Sequence, residues 1–299
     1  MRLLAGDVGG TKTLLRCGEA EKRFESAAYP TFDALLREFV TTPVDAACFA
    51  VAGPVSDGRA TVTNVGWEID AAEISRAFSI PRVSLINDFY AVALGVPLLE
   101  ETDLLSLQRG ERDRRAPMAI LGAGTGLGEA IVIDGKDVVP TEGGHADFAP
   151  QDDEQARLFL YLHERLGGHV SWERVISGMG LVNIFTFLGG QEITAADVAE
   201  LAERGDARAH RAFAIFVDVY GAEAGNMALR VLARGGVYLA GGIAAKNVPR
   251  FTDGKFVEAF LRKGRFRALL EKIPVDLIMN EKVGLIGAVE GARRALHGS

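Results

Sequence analysis

The sequence predicts a protein of two α/β domains, and three observations support this fold class. The chain opens with a strand, a glycine-rich turn and a second strand, written "RLLAGDV", "GGTKT" and "LLRCGEA". A similar pattern returns at "MAILGAGTGLGEAIVIDG". Between the two patterns short apolar strands alternate with helical spacing, and beyond residue 150 the chain is mostly helical. A glycine-turn hairpin at the start of each half indicates two related domains.

An ungapped alignment of the two hairpins supports this duplication. It pairs identical residues at four positions, which are Met1/Met118, Leu4/Leu121, Gly9/Gly126 and Gly18/Gly135. The same alignment places Gly124 opposite Asp7, so only the first hairpin would keep a metal-binding carboxylate at this position. The alternative is two unrelated hairpins that both need glycine turns.

The remaining elements follow from periodicity and capping residues. The pattern predicts buried strands over 46–53 and 82–87, and a last strand over 235–242. Acidic N-terminal and glycine C-terminal signals favour a helix over 152–167. The polar stretch 109–118 is the expected connector between the halves. The other predicted helices are 70–78, 88–96, 194–205 and about 206–233.

Composition excludes several classes of protein. The chain has 299 residues, 48% hydrophobic and 24% charged, and its formal net charge of -7 offers little attraction to nucleic acid. No apolar stretch reaches membrane-spanning length, and the N-terminal segment is too short and too polar for a signal peptide. Cys17 and Cys48 lie in apolar runs and read as buried thiols. We therefore expect a cytoplasmic protein without a nucleic-acid or membrane partner.

The glycine turns fit neither common nucleotide template. "GK" occurs at 135–136 and 254–255 without a following Ser or Thr, which excludes the P-loop, and G-x-G-x-x-G fails at Gly122 and at Gly124. A hairpin turn can still hold phosphate through its backbone N–H groups. Asp7, at the end of the first strand, would hold Mg²⁺ directly or through water. Either turn alone is equally well explained as a plain tight hairpin.

Eight motifs occur along the chain in this order: "GDVGGTKT", "AGPVSDGRATVTNVGW", "INDFYAVALG", "GAGTGLGEA", "EGGHADFAP", "WERVISGMGLVNIF", "GGVYLAGGI" and "KGRF". Together they resemble the bacterial ATP-dependent glucokinase family. The resemblance runs from residue 4 to about 267 and implies an actin-like, ribonuclease-H-like ATPase fold, with a ligand cleft between two domains. The implied small domain is 1–97, rejoined by a C-terminal helix at about 282–299, and the large domain is 98–281.

The resemblance implies which residues bind the two substrates. In the family an Asn-Asp pair binds sugar hydroxyls and its aspartate is the catalytic base, which corresponds to Asn87 and Asp88 here. Further glucose contacts are implied at Asn64, Glu142, His145 and Glu173. The phosphates of ATP are expected at Gly6, Asp7, Gly9, Gly10, Thr11, Lys12, Gly122, Gly124, Thr125, Gly126, Gly241 and Gly242.

The implied activity is transfer of the ATP γ-phosphoryl group to the 6-hydroxyl of D-glucose, with ATP and Mg²⁺ required. We also expect a homodimer. The alternatives are a hexokinase that prefers glucosamine or mannose, and a sugar-sensing protein without useful catalysis. The presence of Asp7 and Asp88 argues against the sensor, and so does the lack of a basic face.

Some of these residues also have plain structural explanations. Asp88 could be a helix N-cap, Glu173 a solvated helix residue, and His145 a hydrogen-bond donor to loop carbonyls. Lys12 stands where the family usually has asparagine, and "GGTK" is instead typical of the repressor/ORF/kinase family, whose cysteine-rich zinc motif this chain lacks. Lys12 either reaches the ATP phosphates or faces solvent.

Overall fold

The structure, a computed structural model, describes residues 1–297. The chain divides into two compact units. The first comprises Met1–Glu100 together with the chain from Asn280 onward, and the second comprises Glu101–Met279. The last two residues of the predicted C-terminal segment 282–299 lie outside the described residues.

The elements alternate along the chain as an α/β pattern. The strands are β1 Leu3–Val8, β2 Lys12–Cys17, β3 Ala20–Glu25, β4 Ala46–Val51, β5 Val55–Ser56, β6 Arg59–Val62, β7 Trp67–Asp70, β8 Val83–Asn87, β9 Leu104–Gln108, β10 Met118–Ala123, β11 Leu127–Ile133, β12 Asp137–Thr141, β13 Gly236–Ala240 and β14 Val275–Ile278. The helices are α1 Phe32–Phe39, α2 Ala71–Phe78, α3 Asp88–Gly95, α4 Asp153–Leu166, α5 Gly178–Phe187, α6 Ala195–Glu203, α7 Ala207–Val231, α8 Gly242–Lys246, α9 Val248–Phe251, α10 Lys255–Leu261, α11 Arg267–Leu270 and α12 Val283–His297.

The first unit is built on a five-stranded sheet of order β3-β2-β1-β4-β8. Strands β1, β4 and β8 are parallel, with Val8 opposite Val51 and Val51 opposite Asn87. The carboxyl ends of these three strands therefore lie side by side. Ligands of α/β proteins bind at such an edge. A smaller sheet, β5-β6-β7, completes the unit.

Both faces of this sheet are covered. On one face Ala5 and Ala50 pack against α3 and α12. On the other face Leu4, Val8 and Phe49 join a larger core, where the rings of Phe49 and Phe32 meet edge to face at 5.0 Å. Buried strands with continuous apolar faces are expected for such a layered arrangement. The two layers of packing hold the β1, β4 and β8 ends in place.

The second unit is built on a six-stranded sheet of order β12-β11-β10-β13-β14-β9. Helix α7 is buried along most of its length, and its core includes Phe213, Phe216 and Tyr220. Trp172 is fully buried in the same core and contacts Phe148 edge to face. This core supports the turn between β10 and β11.

The predicted duplication of the hairpin is confirmed, but the ungapped alignment is wrong by two residues in the first strand. β1 and β10 each pair antiparallel with the next strand and parallel with a later one. Val8 and Ala123 are the last paired residues before the two turns, so Gly122, rather than Gly124, occupies the position of Asp7. The second turn is one residue shorter, so in the second strand the alignment is wrong by three residues.

Two further predictions are wrong. The strand at Gly236–Ala240 is not the last, because β14 follows it and inserts between β13 and β9. The polar stretch 109–118 lies inside the second unit between β9 and β10, so it is not the connector. There Arg112 pairs with the buried Asp276, which explains part of the charge of that stretch.

The helix termini agree with their capping residues. Asp152 caps α4, and Gly167 ends it with a positive φ of 72°. The arrangement at Thr194 is a complete capping box in which Thr194 and Asp197 satisfy each other's backbone N–H groups. Helix α7 ends two residues before the predicted 233, at Val231, because Leu232 adopts the left-handed conformation.

Candidate active site

The turn after β1 is braced by local hydrogen bonds. The Gly9 N–H donates to Lys12 O at 3.0 Å, and Ser26 Oγ donates to Gly9 O at 2.6 Å. A Cβ on Gly10 would lie 2.6 Å from the Asn64 Cβ, so only glycine lets the turn pass this close to Asn64. The predicted phosphate turn and the predicted sugar ligand Asn64 are therefore neighbours in the first unit.

Asn87 and Asp88 lie at the junction of β8 and α3. Asn87 is the N-cap: its Oδ1 accepts from the N–H groups of Phe89 at 2.9 Å and Tyr90 at 3.1 Å. Its Nδ2 donates to Gly53 O at 3.2 Å and to Asp88 Oδ1 at 3.0 Å. The N-cap role considered for Asp88 therefore belongs to Asn87. Asn87 orients the carboxylate of Asp88.

The two carboxylates of this edge influence each other. Burial, and then the negative charge of Asp88, raise the pKa of Asp7 to about 6, while Lys12 opposes the change. Burial also raises the pKa of Asp88, partly offset by hydrogen bonds from the Phe89 N–H and Asn87. Two carboxylates in one partly buried site form a negative centre. A divalent cation would neutralise such a centre.

The turn between β10 and β11 is held by Glu173. Glu173 Oε2 accepts from the Leu127 N–H at 3.0 Å, and a Cβ on Gly126 would overlap the same oxygen. The Gly178 N–H donates to Gly124 O at 2.8 Å. Glu173, predicted to bind sugar, is thus in contact with the predicted phosphate turn. It is half-buried and lies in a short 3₁₀ turn, Trp172–Arg174, so it is not a solvated helix residue.

The EGGH loop, Glu142–His145, is anchored to the same hairpin. A Cβ on Gly144 would overlap Leu127 O, so glycine allows the loop to pass directly over the start of β11. The side chains of Glu142 and His145 are exposed, with 3.9 Å between Glu142 Oε2 and His145 Nε2. Asp147 pairs with His169 at 3.0 Å and forms a β-bridge with Ser171, which fixes the end of the loop.

The structure thus brings the predicted residues together in two groups, one in each unit. The first group is Asp7, Gly9, Gly10, Thr11, Lys12, Asn64, Asn87 and Asp88, and the second is Gly124, Thr125, Gly126, Glu142, His145, Glu173, Gly241 and Gly242. Gly241 joins the second group because its backbone passes against Ala123 at the end of β10, with a φ of 92°. Gly6 and Gly122 are buried within strands behind the turns.

Sequence reasoning missed two residues of these groups. Ser26 braces the first turn, through Gly9 O and through its own N–H, which donates to Thr11 O at 3.0 Å. Glu129 is a buried carboxylate on β11 beneath the EGGH loop. Neither shows a local signal, because Ser26 is an ordinary polar residue and Glu129 lies in a strand of otherwise apolar residues.

The donor set suits a metal that is held mainly by substrate phosphates. No three His, Cys, Asp or Glu side chains within residues 1–297 form a group that could hold a metal ion. Mg²⁺ usually takes one or two carboxylates, keeps several waters and completes its shell with substrate phosphates. Asp7 beside a phosphate turn fits that pattern.

Comparison with known proteins identifies the family. The Glucokinase family profile matches residues 4–295. The glucokinase of Nostoc sp. is 40% identical, over 98% of this chain and 99% of its own length. The chain belongs to the glucokinase family. The glucokinase of Tolumonas auensis, 36% identical over 99% of this chain and 98% of its own length, agrees. Family membership makes the protein an ATP-dependent sugar kinase.

Solved structures confirm the predicted actin-like ATPase fold. A glucokinase from an Antarctic psychrotroph superposes with a TM-score of 0.90 at 30% identity, covering 100% of this chain and 99% of its own. A ROK family glucokinase from Streptomyces griseus shares the fold at 21% identity, with a TM-score of 0.65 and coverage of 98% and 100%. No helix within residues 1–297 is long and apolar enough to cross a membrane.

Proposed function

We propose that this chain transfers the γ-phosphoryl group of ATP to the 6-hydroxyl of D-glucose, giving glucose 6-phosphate and ADP. The observation that carries the proposal is the pair Asp7 and Asp88, which lie at the aligned carboxyl ends of β1 and β8. Phosphoryl transfer needs little beyond positioning, a metal on the phosphates and a base near the attacking hydroxyl. Asp88 is the proposed base and Asp7 the proposed metal carboxylate.

The proposed glucose ligands are Asn64, Asn87, Asp88, Glu142, His145 and Glu173. Carboxylates accept strongly from sugar hydroxyls, and Glu142 presents its carboxylate to solvent on the EGGH loop. Asn87 uses its oxygen to cap α3, so we assign it chiefly to holding Asp88 in place.

The phosphates of ATP are proposed to lie on the Gly9–Lys12 and Gly124–Gly126 turns and near Gly241 and Gly242, with Gly6 and Gly122 shaping the strands behind them. Lys12 is exposed and its charge acts on Asp7, and we assign it to the phosphates of ATP.

We further propose that the metal is Mg²⁺, that the protein works in the cytoplasm, and that it forms a homodimer. Hard oxygen donors and phosphates favour Mg²⁺ over softer metals. Both Cys17 and Cys48 are free thiols, which suits a reducing compartment. The dimer is checked by light scattering coupled to size-exclusion chromatography.

A coupled assay with ATP and a panel of hexoses tests the proposal. Glucose should have the highest kcat/KM, EDTA should abolish turnover, and excess Mg²⁺ should restore it. A higher kcat/KM for glucosamine or mannose would reassign the sugar. Glucose binding without any turnover would point to a sensor, and stoichiometric zinc by elemental analysis would contradict the metal assignment.

A further inference from the structure

Glu129 is a buried acid that none of the proposed chemistry uses. It is 2% exposed, and neither carboxylate oxygen has a hydrogen-bond partner within the described residues. An ionised carboxylate in such a place would carry the full cost of desolvation without compensation. The site therefore favours a neutral carboxyl group.

The charges around Glu129 strengthen that preference. Helix α7 brings Glu223 and Arg230 toward it, but these two are paired with each other, and Asn226 donates to the remaining oxygen of Glu223 at 2.8 Å. Tyr220, on the same helix, donates to Leu121 O at 3.2 Å. Burial, and then the negative charge of Glu223, raise the pKa of Glu129 to about 8, while Arg230 opposes the change.

The positive charge of Lys263 does not offset the preference of Glu129 for its neutral form. Burial lowers the pKa of Lys263, and its charge acts on Glu223. On the other sides of Glu129 the neighbouring strands place Leu121 and Thr141 opposite it, and neither carries a charge.

The EGGH loop rests on this side chain. The position that a Cβ would take on Gly143 overlaps Glu129 Oε2, so the loop backbone lies directly on the carboxyl group. Thr141 Oγ1 donates to Glu129 O at 3.0 Å and accepts from the Gly143 N–H at 3.2 Å. One hydroxyl group therefore ties the strand that carries Glu129 to the loop that carries Glu142 and His145.

We infer that the neutral carboxyl group of Glu129 is a positioning group that seats the EGGH loop, and that glucose affinity is lost when Glu129 ionises. An ionised Glu129 must recruit water or a donor, and the contact that has to open is the one with Gly143. Movement of Gly143 displaces its neighbours Glu142 and His145. The inference deepens the proposed function and rests on it, because the loop is taken as a glucose ligand.

The test is the pH dependence of glucose affinity in wild type and in Glu129→Gln. The amide of glutamine matches the neutral carboxyl group in shape and in having a donor and an acceptor, but it does not ionise. If only the neutral form binds glucose, ionisation around pH 8 should raise the KM for glucose about tenfold between pH 7 and pH 9. The KM for ATP should stay nearly constant. Glu129→Gln should keep the wild-type KM at pH 7 and abolish the rise.

Two further variants separate positioning from bulk stability. Glu129→Ala removes the carboxyl group that supports the EGGH loop. It should raise the KM for glucose several-fold at every pH, with the KM for ATP little changed. Glu203→Gln makes the same chemical change at an exposed position on α6 and should keep the wild-type profile. Calorimetric titration with glucose at pH 7 and pH 9 measures the binding directly.

Each outcome decides the inference. Parallel pH profiles of wild type and Glu129→Gln, in enzyme that phosphorylates glucose, would overturn it, and so would a wild-type glucose KM in Glu129→Ala. A wild type that neither binds nor phosphorylates glucose at pH 7 would overturn the proposed function instead. A glucose KM that rises in wild type and stays flat in Glu129→Gln would support both.

Discussion

At the scale of single residues, the adjacent residues Asn87 and Asp88 make different contacts at the start of α3. Asn87 satisfies the first N–H groups of α3, and Asp88 is left with a carboxylate that Asn87 and the Phe89 N–H orient. Adjacent residues thus have separate proposed tasks, Asn87 in stability and Asp88 in chemistry. Substitutions at the two positions should therefore have different effects.

Asp88→Asn should lower kcat by ~10²–10⁴, the usual contribution of a general base, and leave glucose affinity and thermal stability close to wild type. Steady-state kinetics, calorimetric titration with glucose and thermal unfolding measure the three quantities. Asn87→Ala is the matched comparison, because loss of an N-cap costs about 1 kcal/mol of stability. Turnover of Asp88→Asn within a few-fold of wild type would exclude Asp88 as the base.

Residues of the second unit should act mainly on sugar affinity. Glu142→Gln and His145→Ala should raise the KM for glucose far more than the KM for ATP. Deoxyglucose analogues that lack a contacted hydroxyl should lose ~1–3 kcal/mol, because a protein group is left unpaired. Equal kcat/KM for all deoxy analogues would contradict this role of the loop.

Glu173→Ala, which removes the acceptor oxygen, should behave differently from these two variants. Glu173 Oε2 holds the Leu127 N–H beside the Gly124–Gly126 turn. We therefore expect both KM values to rise. A rise confined to the KM for glucose would show that Glu173 contributes nothing to the turn.

At the scale of elements, the two helices α3 and α12 pack unusually closely. A Cβ on Gly287 would overlap Ala91 O, and a Cβ on Gly95 would overlap Val283 O, so the backbones of the two helices nearly touch. Gly284 is different: a Cβ there would lie an ordinary 3.5 Å from Asp7 Oδ2. The close approach supports the sheet from the face that carries Ala5 and Ala50.

Gly287→Ala should therefore destabilise the protein by about 1–3 kcal/mol, the usual cost of overpacking. Gly284→Ala is the matched control on the same helix, and it should be neutral or stabilising because alanine is the better helix former. Thermal and urea unfolding measure both. Equal stability of the two variants would show that α3 and α12 can move apart with little loss of stability.

Local sequence patterns predicted some of the helices and strands and missed others. Strands β4 and β8 and helices α2, α3, α4, α6 and α7 follow from apolar periodicity and from caps such as Asp152 and Thr194, because both signals are local. Strand β14 was missed because Val275–Ile278 is short and pairs with β9, which is far away in the sequence. The ungapped hairpin alignment was wrong because matching residue types set it, whereas the strand pairing fixes which positions are equivalent.

At the scale of the whole molecule, the proposed glucose ligands come from both units. A ligand shifts a protein toward the conformation in which it makes more contacts. Glucose alone should therefore contract the protein, and ATP alone should do so less. Exclusion of water from the reacting phosphoryl group would follow from such closure.

Small-angle scattering with and without saturating glucose measures this contraction. Trp172 offers a second signal, because its backbone N–H donates to Ala146 O at 3.0 Å, next to the EGGH loop. Replacing the other tryptophan, Trp67→Phe, would assign any change in fluorescence to Trp172. An unchanged radius of gyration, in a sample that binds glucose and is not already closed, would refute the closure.

The sequence by itself determined the α/β class, the hairpin duplication, the approximate ends of five helices and the motifs of the glucokinase family. These depend on residues close together in the chain: glycines in turns, caps at helix starts, and an Asn-Asp pair after an apolar strand. Only the tertiary structure decided that Asn87 caps α3, that Glu173 holds the Gly124–Gly126 turn, and that the EGGH loop rests on Glu129. The contacts of Glu173 and Glu129 join different elements, so packing rather than local pattern sets which residues meet. The Asn87 cap is local, but the choice between the adjacent Asn87 and Asp88 depends on where their side chains lie.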